Sequence, residues 1–152
     1  MKHLLRALLV VLVLGAFMPS RSAAQGSTQT GEGQGAGLVL KQNFPNPVNQ
    51  DTRIQFVIAD PQGCAESGRL RRVSLRVYNL LAQQVAVPVL QGGVGNVAGG
   101  EPLENQLLTC GEYMAYWDGK YSQTGEDVAS GIYLYRLEVD GKVLVKKMIV
   151  RK

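Results

Sequence analysis

A two-residue alternation of apolar and polar side chains is the feature that most limits what this chain can fold into. In Arg72 to Tyr78, Val73, Leu75 and Val77 alternate with Arg72, Ser74 and Arg76. Only an extended strand gathers such a set on one face. Thr52 to Ile58 repeats the pattern with Ile54, Phe56 and Ile58. Gly131 to Val139 sets Tyr133, Tyr135, Leu137 and Val139 against Ile132, Leu134, Arg136 and Glu138. Both of those faces hold apolar residues, so the alternation leaves open which one is fully buried. Gln84 to Leu90 reads as a further strand, and Pro88, which has no N–H to donate, places it at an edge or bulge. Glu112 to Trp117 and Lys142 to Val150 bring the set to about six. Asp140-Gly141 joins the last two strands, because this pair tolerates the positive φ angles of a tight hairpin. No segment sustains a helical spacing, and Asn79 to Gln84 is too short for one. Short antiparallel strands with turn-rich connections pack in two layers, so the pattern predicts an all-β sandwich over residues 38–152.

The N-terminus is of a different kind. Lys2 and Arg6 precede an apolar run from Ala7 to Met18, and Ser22-Ala23-Ala24 supplies small residues for cleavage. Residues 1–24 therefore read as a secretory signal peptide. The run is shorter than the roughly 20 residues needed to cross a bilayer, so no stable membrane span is expected after cleavage. Export would place the chain in the periplasm, at the cell surface or outside the cell. Residues 25–37, rich in Gly and Gln, cannot bury enough apolar surface to order themselves and read as a flexible spacer. The module then opens with two Asn-Pro-containing steps, Asn43-Phe44-Pro45 and Asn46-Pro47. Proline fixes φ and holds the preceding residue extended, which makes a stiff lead-in. Phe44 is expected to pack against the end of the sandwich, and Asn46 and Asn49 to bond the backbone of their own turns. Trp117-Asp118-Gly119 marks the end of a strand, with the indole suited to the core and Asp-Gly to the turn.

Charge and residue types restrict the chemistry. Of 16 basic residues, Lys2, Arg6 and Arg21 belong to the leader, so 13 face 12 acidic ones in the remainder. Arg69, Arg71, Arg72 and Arg76, and the tail Lys146-Lys147…Arg151-Lys152, read as solvated strand edges, and nucleic-acid binding is not expected. The one histidine, His3, lies in the leader. The exported chain thus lacks the commonest general base and any Ser-His-Asp triad or His-containing zinc site. No Gly-rich phosphate loop opens a helix, and no Ser, Asp, Glu or Tyr sits in a recognised catalytic motif. The expectation is a chain that is not an enzyme, with no catalytic residues and no cofactor. Asp118, Glu126 and Asp127 come nearest to a calcium loop, but Lys120 stands where an oxygen ligand is needed, and no metal is expected. Cys64 and Cys110 could form a structural bridge, remain two thiols, or supply half of an intermolecular metal site; an oxidising compartment favours the bridge. The Gly-rich stretch 91–109 reads as flexible loop material, with ligand contact at the end of the sandwich as the alternative.

Four fragments in order, "NFPNP", "VYNLLAQ", "WDG" and "SGIYLYRLE…KKM", resemble the FlgD-like immunoglobulin-type domain. The same pattern belongs to the type A C-terminal sorting domain of type IX secretion cargo. The likeness covers Leu38 to Lys152. It implies an immunoglobulin-like antiparallel sandwich of about six to seven strands, and in type IX cargo a tail that directs passage across the outer membrane and is then usually removed. The connections around residues 60–69 and 91–109 are longer than the family usually has. If successive strands run up and down, the first and third connections share one end of the sandwich, which brings Cys64 near Cys110. A sorting tail normally follows an enzyme or adhesin, whereas here the module directly follows the spacer. The functional expectation is a non-catalytic exported module for surface binding, assembly or sorting, its partner the outer-membrane secretion machinery or a cell-surface protein. The alternatives are a type IX sorting signal without its passenger, a fragment of a longer cargo protein, or a FlgD-like scaffold for appendage assembly.

Overall fold

The alternating segments become strands where all their apolar residues can face one interior. The structure, a computed structural model, describes residues 37–59, 64, 68–93 and 100–152, all within the unit Gly31–Lys152. The expected leader lies outside the described residues, as does the expected spacer except for Gly37. The strands are β1 (Leu38–Leu40), β2 (Thr52–Ile58), β3 (Arg71–Tyr78), β4 (Gln84–Ala86), β5 (Val89–Gly93), β6 (Gln106–Leu108), β7 (Gly111–Trp117), β8 (Gly131–Val139) and β9 (Lys142–Val150). Among the described residues there is no helix. One sheet has the order β1-β2-β7-β5; the other has the order β4-β3-β8-β9, with β6 also pairing β3. All strand pairs within the sheets are antiparallel. The all-β, two-sheet expectation holds.

The facing sides of the two sheets form the core. Ile54, Phe56 and Ile58 of β2, Val73, Leu75 and Val77 of β3, and Tyr113, Ala115 and Trp117 of β7 are all buried. On β8 the Tyr133, Tyr135, Leu137 and Val139 face is the buried one, which resolves the ambiguity left by the alternation. Removing such side chains from water contributes roughly 1.5–3 kcal/mol each. Phe56 stacks on Tyr113 with ring centroids 5.5 Å apart. The β8–β9 turn takes φ 48° at Asp140 and 82° at Gly141, as the Asp-Gly pair requires. Its Asp140 carboxylate also accepts from the Arg72 N–H (2.9 Å) and from Arg71 (3.2 Å), which ties the hairpin to β3.

The described residues form nine strands where about six to seven were expected, β1 among the additions, and three further details differ from the sequence reading. The single strand expected over Gln84 to Leu90 is two strands in different sheets. The chain crosses between the layers at Val87-Pro88, where the proline has no N–H for a ladder and the Val87 N–H donates to Ser122 Oγ (3.0 Å). Within the stretch expected to be a loop, β6 pairs with β3 over Arg71–Val73. Leu103, just before β6, is fully buried and bonds both Pro88 and Leu75 through its backbone. Residues 94–99 of that stretch lie outside the described residues. Ser74, expected outward, does point to the outer face but is covered, its Oγ accepting from the Asn105 N–H at 2.8 Å.

Cys64 and Cys110 are joined as a disulfide with Cα atoms 5.7 Å apart. Gly111 at the start of β7 pairs with Ile58 at the end of β2, so the bridge pins the β2–β3 connection at the end where β7 begins. It spans 46 residues, for which loop-closure entropy gives about 4 kcal/mol of stabilisation. Replacing both cysteines by serine should lower the unfolding free energy by up to that amount, read from urea unfolding curves. The unreduced protein should also weigh two hydrogens less than the reduced one by intact mass.

Candidate functional site

The asparagine-proline lead-in is a junction between the two sheets. Asn43 is buried, its Nδ2 donating to the Pro45 carbonyl and to Thr52 Oγ1, both at 3.0 Å. The Tyr135 hydroxyl accepts from the Asn43 N–H (3.0 Å) and donates to the Lys41 carbonyl (2.9 Å). Every polar group of this buried knot therefore has a partner, as a low-dielectric interior demands. Both Phe44-Pro45 and Asn46-Pro47 are cis. Beyond them, Val48 forms a parallel bridge to Val150. Its N–H donates to the Ile149 carbonyl (2.7 Å), and its carbonyl accepts from the Arg151 N–H (2.8 Å). Asn46 Oδ1 accepts from the Ile149 N–H (2.9 Å), so it bonds β9 and not its own turn; Asn49 is exposed. Phe44 does not pack on the sandwich: it is 77% exposed. The cause is the neighbouring Asn43, which turns inward and leaves the adjacent side chain of an extended segment pointing out.

Trp117 is buried, with its indole N–H donating to the Lys120 carbonyl (2.9 Å) and its ring 6.0 Å from that of Tyr133. Asp118 Oδ1 accepts from the Lys120 N–H (3.1 Å), an Asx-type turn. Gly119 has φ +70°, and a Cβ there would lie 2.6 Å from the Gln50 carbonyl oxygen. Asp127 is held by Lys152 Nζ at 2.9 Å, a bond that draws its carboxyl below the usual range. Asp118, Glu126 and Asp127 do not converge: Asp118 serves its own turn and Asp127 serves Lys152. Among the described residues no group of three potential ligands gathers for a metal.

The surface with binding character is the outer face of the β4-β3-β8-β9 sheet. Tyr78, Ile132, Leu134, Val143, Val145 and Ile149 all fall on it, at the positions opposite to the core residues of their strands. Ile132, Val143, Val145 and Ile149 are each more than two-fifths exposed. A groove of about 350 Å³ is lined by Tyr78, Leu80, Ala82, Leu134, Arg136 and Val145. Its rim is the β3–β4 turn, where Asn79 Oδ1 accepts from the Leu81 and Gln83 N–H groups at 3.0 Å and Ala82 takes φ 59°. The turn leaves Leu80 and Leu81 exposed. Nearby carboxylates are engaged: Glu138 by Arg136 (2.8 Å), Glu104 by Arg76 (3.1 Å) and Asp140 by Arg71 (3.2 Å). Sequence reasoning passed over this face. Its signal was the second apolar set on β8, left undecided, together with the paired leucines in a segment too short for a helix.

No family model and no curated protein matches the chain. Among solved structures it is similar to a Pseudomonas fluorescens alkylpurine DNA glycosylase, AlkC, bound to DNA containing an abasic site analog, at 13% identity and a TM-score of 0.47. The match covers 80% of this chain and 32% of that one, so this chain spans about a third of the glycosylase's length. The matched structure is an enzyme's, and the expectation that this chain is not an enzyme is corrected on the ground of its residue chemistry. The lack of histidine after residue 3 excludes particular mechanisms only, and carboxylate, tyrosine or lysine chemistry stays open. A likeness at this score assigns no chemistry to the chain. No helix among the described residues is long and apolar enough to cross a membrane.

Gly119→Ala should destabilise the fold by about 1–3 kcal/mol, because the site combines a left-handed backbone with a close carbonyl; chemical unfolding measures it. Tyr135→Phe should cost about 1–3 kcal/mol, since it strands the buried Asn43 N–H and removes the donor to the Lys41 carbonyl. Burial pushes the Tyr135 phenol up to about 12, against the opposing pull of the Asn43 N–H bond, whereas an unfolded tyrosine titrates near 10. The folded protein thus holds this proton more tightly. The stability it contributes is complete below about pH 10 and is lost as pH rises from there through about 12. Unfolding curves across this window should fall less steeply for Tyr135→Phe than for the parent chain.

Proposed function

We propose that residues 38–152 form an exported recognition module of the FlgD-like immunoglobulin type, acting by surface binding, assembly or sorting. The observation that carries this reading is the outer face of the β4-β3-β8-β9 sheet, where exposed aliphatic side chains adjoin a groove of about 350 Å³. Single exposed apolar residues are ordinary on a protein surface, but a contiguous set beside a concavity favours a partner. The leader-like N-terminus and the disulfide fit an oxidising, exported setting. The four ordered sequence fragments supply the sorting and assembly sense, with the outer-membrane secretion machinery or a cell-surface protein as partner.

The test is chemical cross-linking in the cells that encode the chain, with the parent compared with an Ile132→Asn, Leu134→Asn variant. A discrete heteromeric species in the exported fraction, lost in the variant while the variant stays folded, is the expected result. A cross-linking pattern indifferent to these substitutions would sink the reading. Intact mass of the recovered protein should match Gln25 to Lys152. Recovery of only the residues before Leu38 would instead mark the sandwich as a removable sorting label.

A further inference from the structure

The outer edge of β9 is covered along only part of its length. At one end the lead-in closes it: Ile149 bonds Asn46 and Val48, and the Lys147 carbonyl accepts from Gln42 Nε2 at 3.0 Å. These groups point away from β8, and in an antiparallel pair successive residues turn their backbone groups to opposite sides. Val145 and Val143 therefore present N–H and C=O to the same outer edge. No strand or bridge among the described residues pairs with them there. Both side chains lie on the outer face, and Val145 also lines the groove with Tyr78, Leu80 and Leu134.

Charge selects the occupant. β9 carries Lys142, Lys146 and Lys147 and no acidic residue, and none of the three has an ion pair among the described residues. Of the 13 basic residues after residue 24, five lie in 142–152, where no acidic residue stands; elsewhere eight face 12 acidic ones. A second copy of β9 added at this edge would bring two lysine-rich strands together, and like charges across a strand pair are destabilising. An acidic segment meets no such penalty. We propose that the open half of β9 receives an extended acidic segment of another protein as an added strand, with an apolar side chain of that segment seated in the groove beside Val145. Strand addition spaces neighbours about 4.8 Å apart, so alternate side chains of the newcomer flank Val143 and Val145. Main-chain bonds supply the affinity and the groove supplies the selectivity. This inference rests on the module reading above and names the chemistry of its partner.

The experiment titrates the full exported chain, isotopically labelled, with a synthetic peptide of alternating Glu and Val and with a matching Lys and Val peptide. The Glu-Val peptide should bind, slow the exchange of the Val143 and Val145 amide hydrogens, and weaken as salt rises. The Lys-Val peptide should not bind. Val145→Pro, which removes one outward N–H while sparing the β8 ladder, should lower affinity about tenfold or more. Lys146→Glu with Lys147→Glu should do likewise, and it serves as the second variant if the proline perturbs folding. Three results would each overturn the proposal: equal binding of both peptides, protection away from β9, or a dimer of the unliganded chain with these amides already protected. Should the cross-linked species of the preceding section survive Val145→Pro and yet vanish with Ile132→Asn, Leu134→Asn, the module reading stands and the strand-addition proposal fails.

Discussion

The hydroxyl of Tyr135 is the point at which two sheets become one body. It projects from the middle of β8 and bonds the backbone of Lys41 and Asn43, which the chain reaches directly from β1 of the other sheet. This pair of bonds ties the lead-in to β8 on its way from the β1 edge to the β9 edge, while the Phe44–Arg53 bridge holds it to β2. Asn43 completes the junction by meeting Pro45 and Thr52. The proline steps, read from sequence as a stiff entry, gain a second role as acceptors and spacers around that side chain. Val48 then reaches β9 with its backbone set to pair.

Strands that bury one face were legible in the sequence, and strands that serve as connections were not. β2, β3, β7, β8 and β9 stand within a residue of their expected bounds, because each alternates long enough for its period to show. β1 and β6 have three residues each, too few to carry a period, and they exist only because β2 and β3 offer edges to pair with. Pro88 was visible as a disturbance. That it marks a change of sheet depended on Ser122 and Leu103, which approach from distant parts of the chain. The disulfide was legible through topology, since both cysteines border connections at one end. Phe44 was misread because aromatic character argued for burial, whereas the strand geometry around Asn43 decided the side on which it falls.

The candidate site was the least legible part, for a related reason. A binding face built on the outside of a sheet uses the same residue types as the core, and only the position of the opposite layer separates them. The lack of histidine after residue 24 removes named mechanisms without establishing inactivity, and the near balance of 13 basic and 12 acidic residues there hid a division between a cationic last strand and an acidic remainder.

The parallel junction of Val48 with Val150 bears on how the domain responds to mechanical load. A pull applied through the residues before β1 and through Lys152 draws the lead-in and β9 along their length in opposite directions. The Val48 N–H bond to Ile149 and the Arg151 N–H bond to Val48 are then strained together in shear, instead of parting one after another as at a fraying hairpin. A domain tethered at one terminus and burdened at the other would meet the force with its closing seam, ahead of its core.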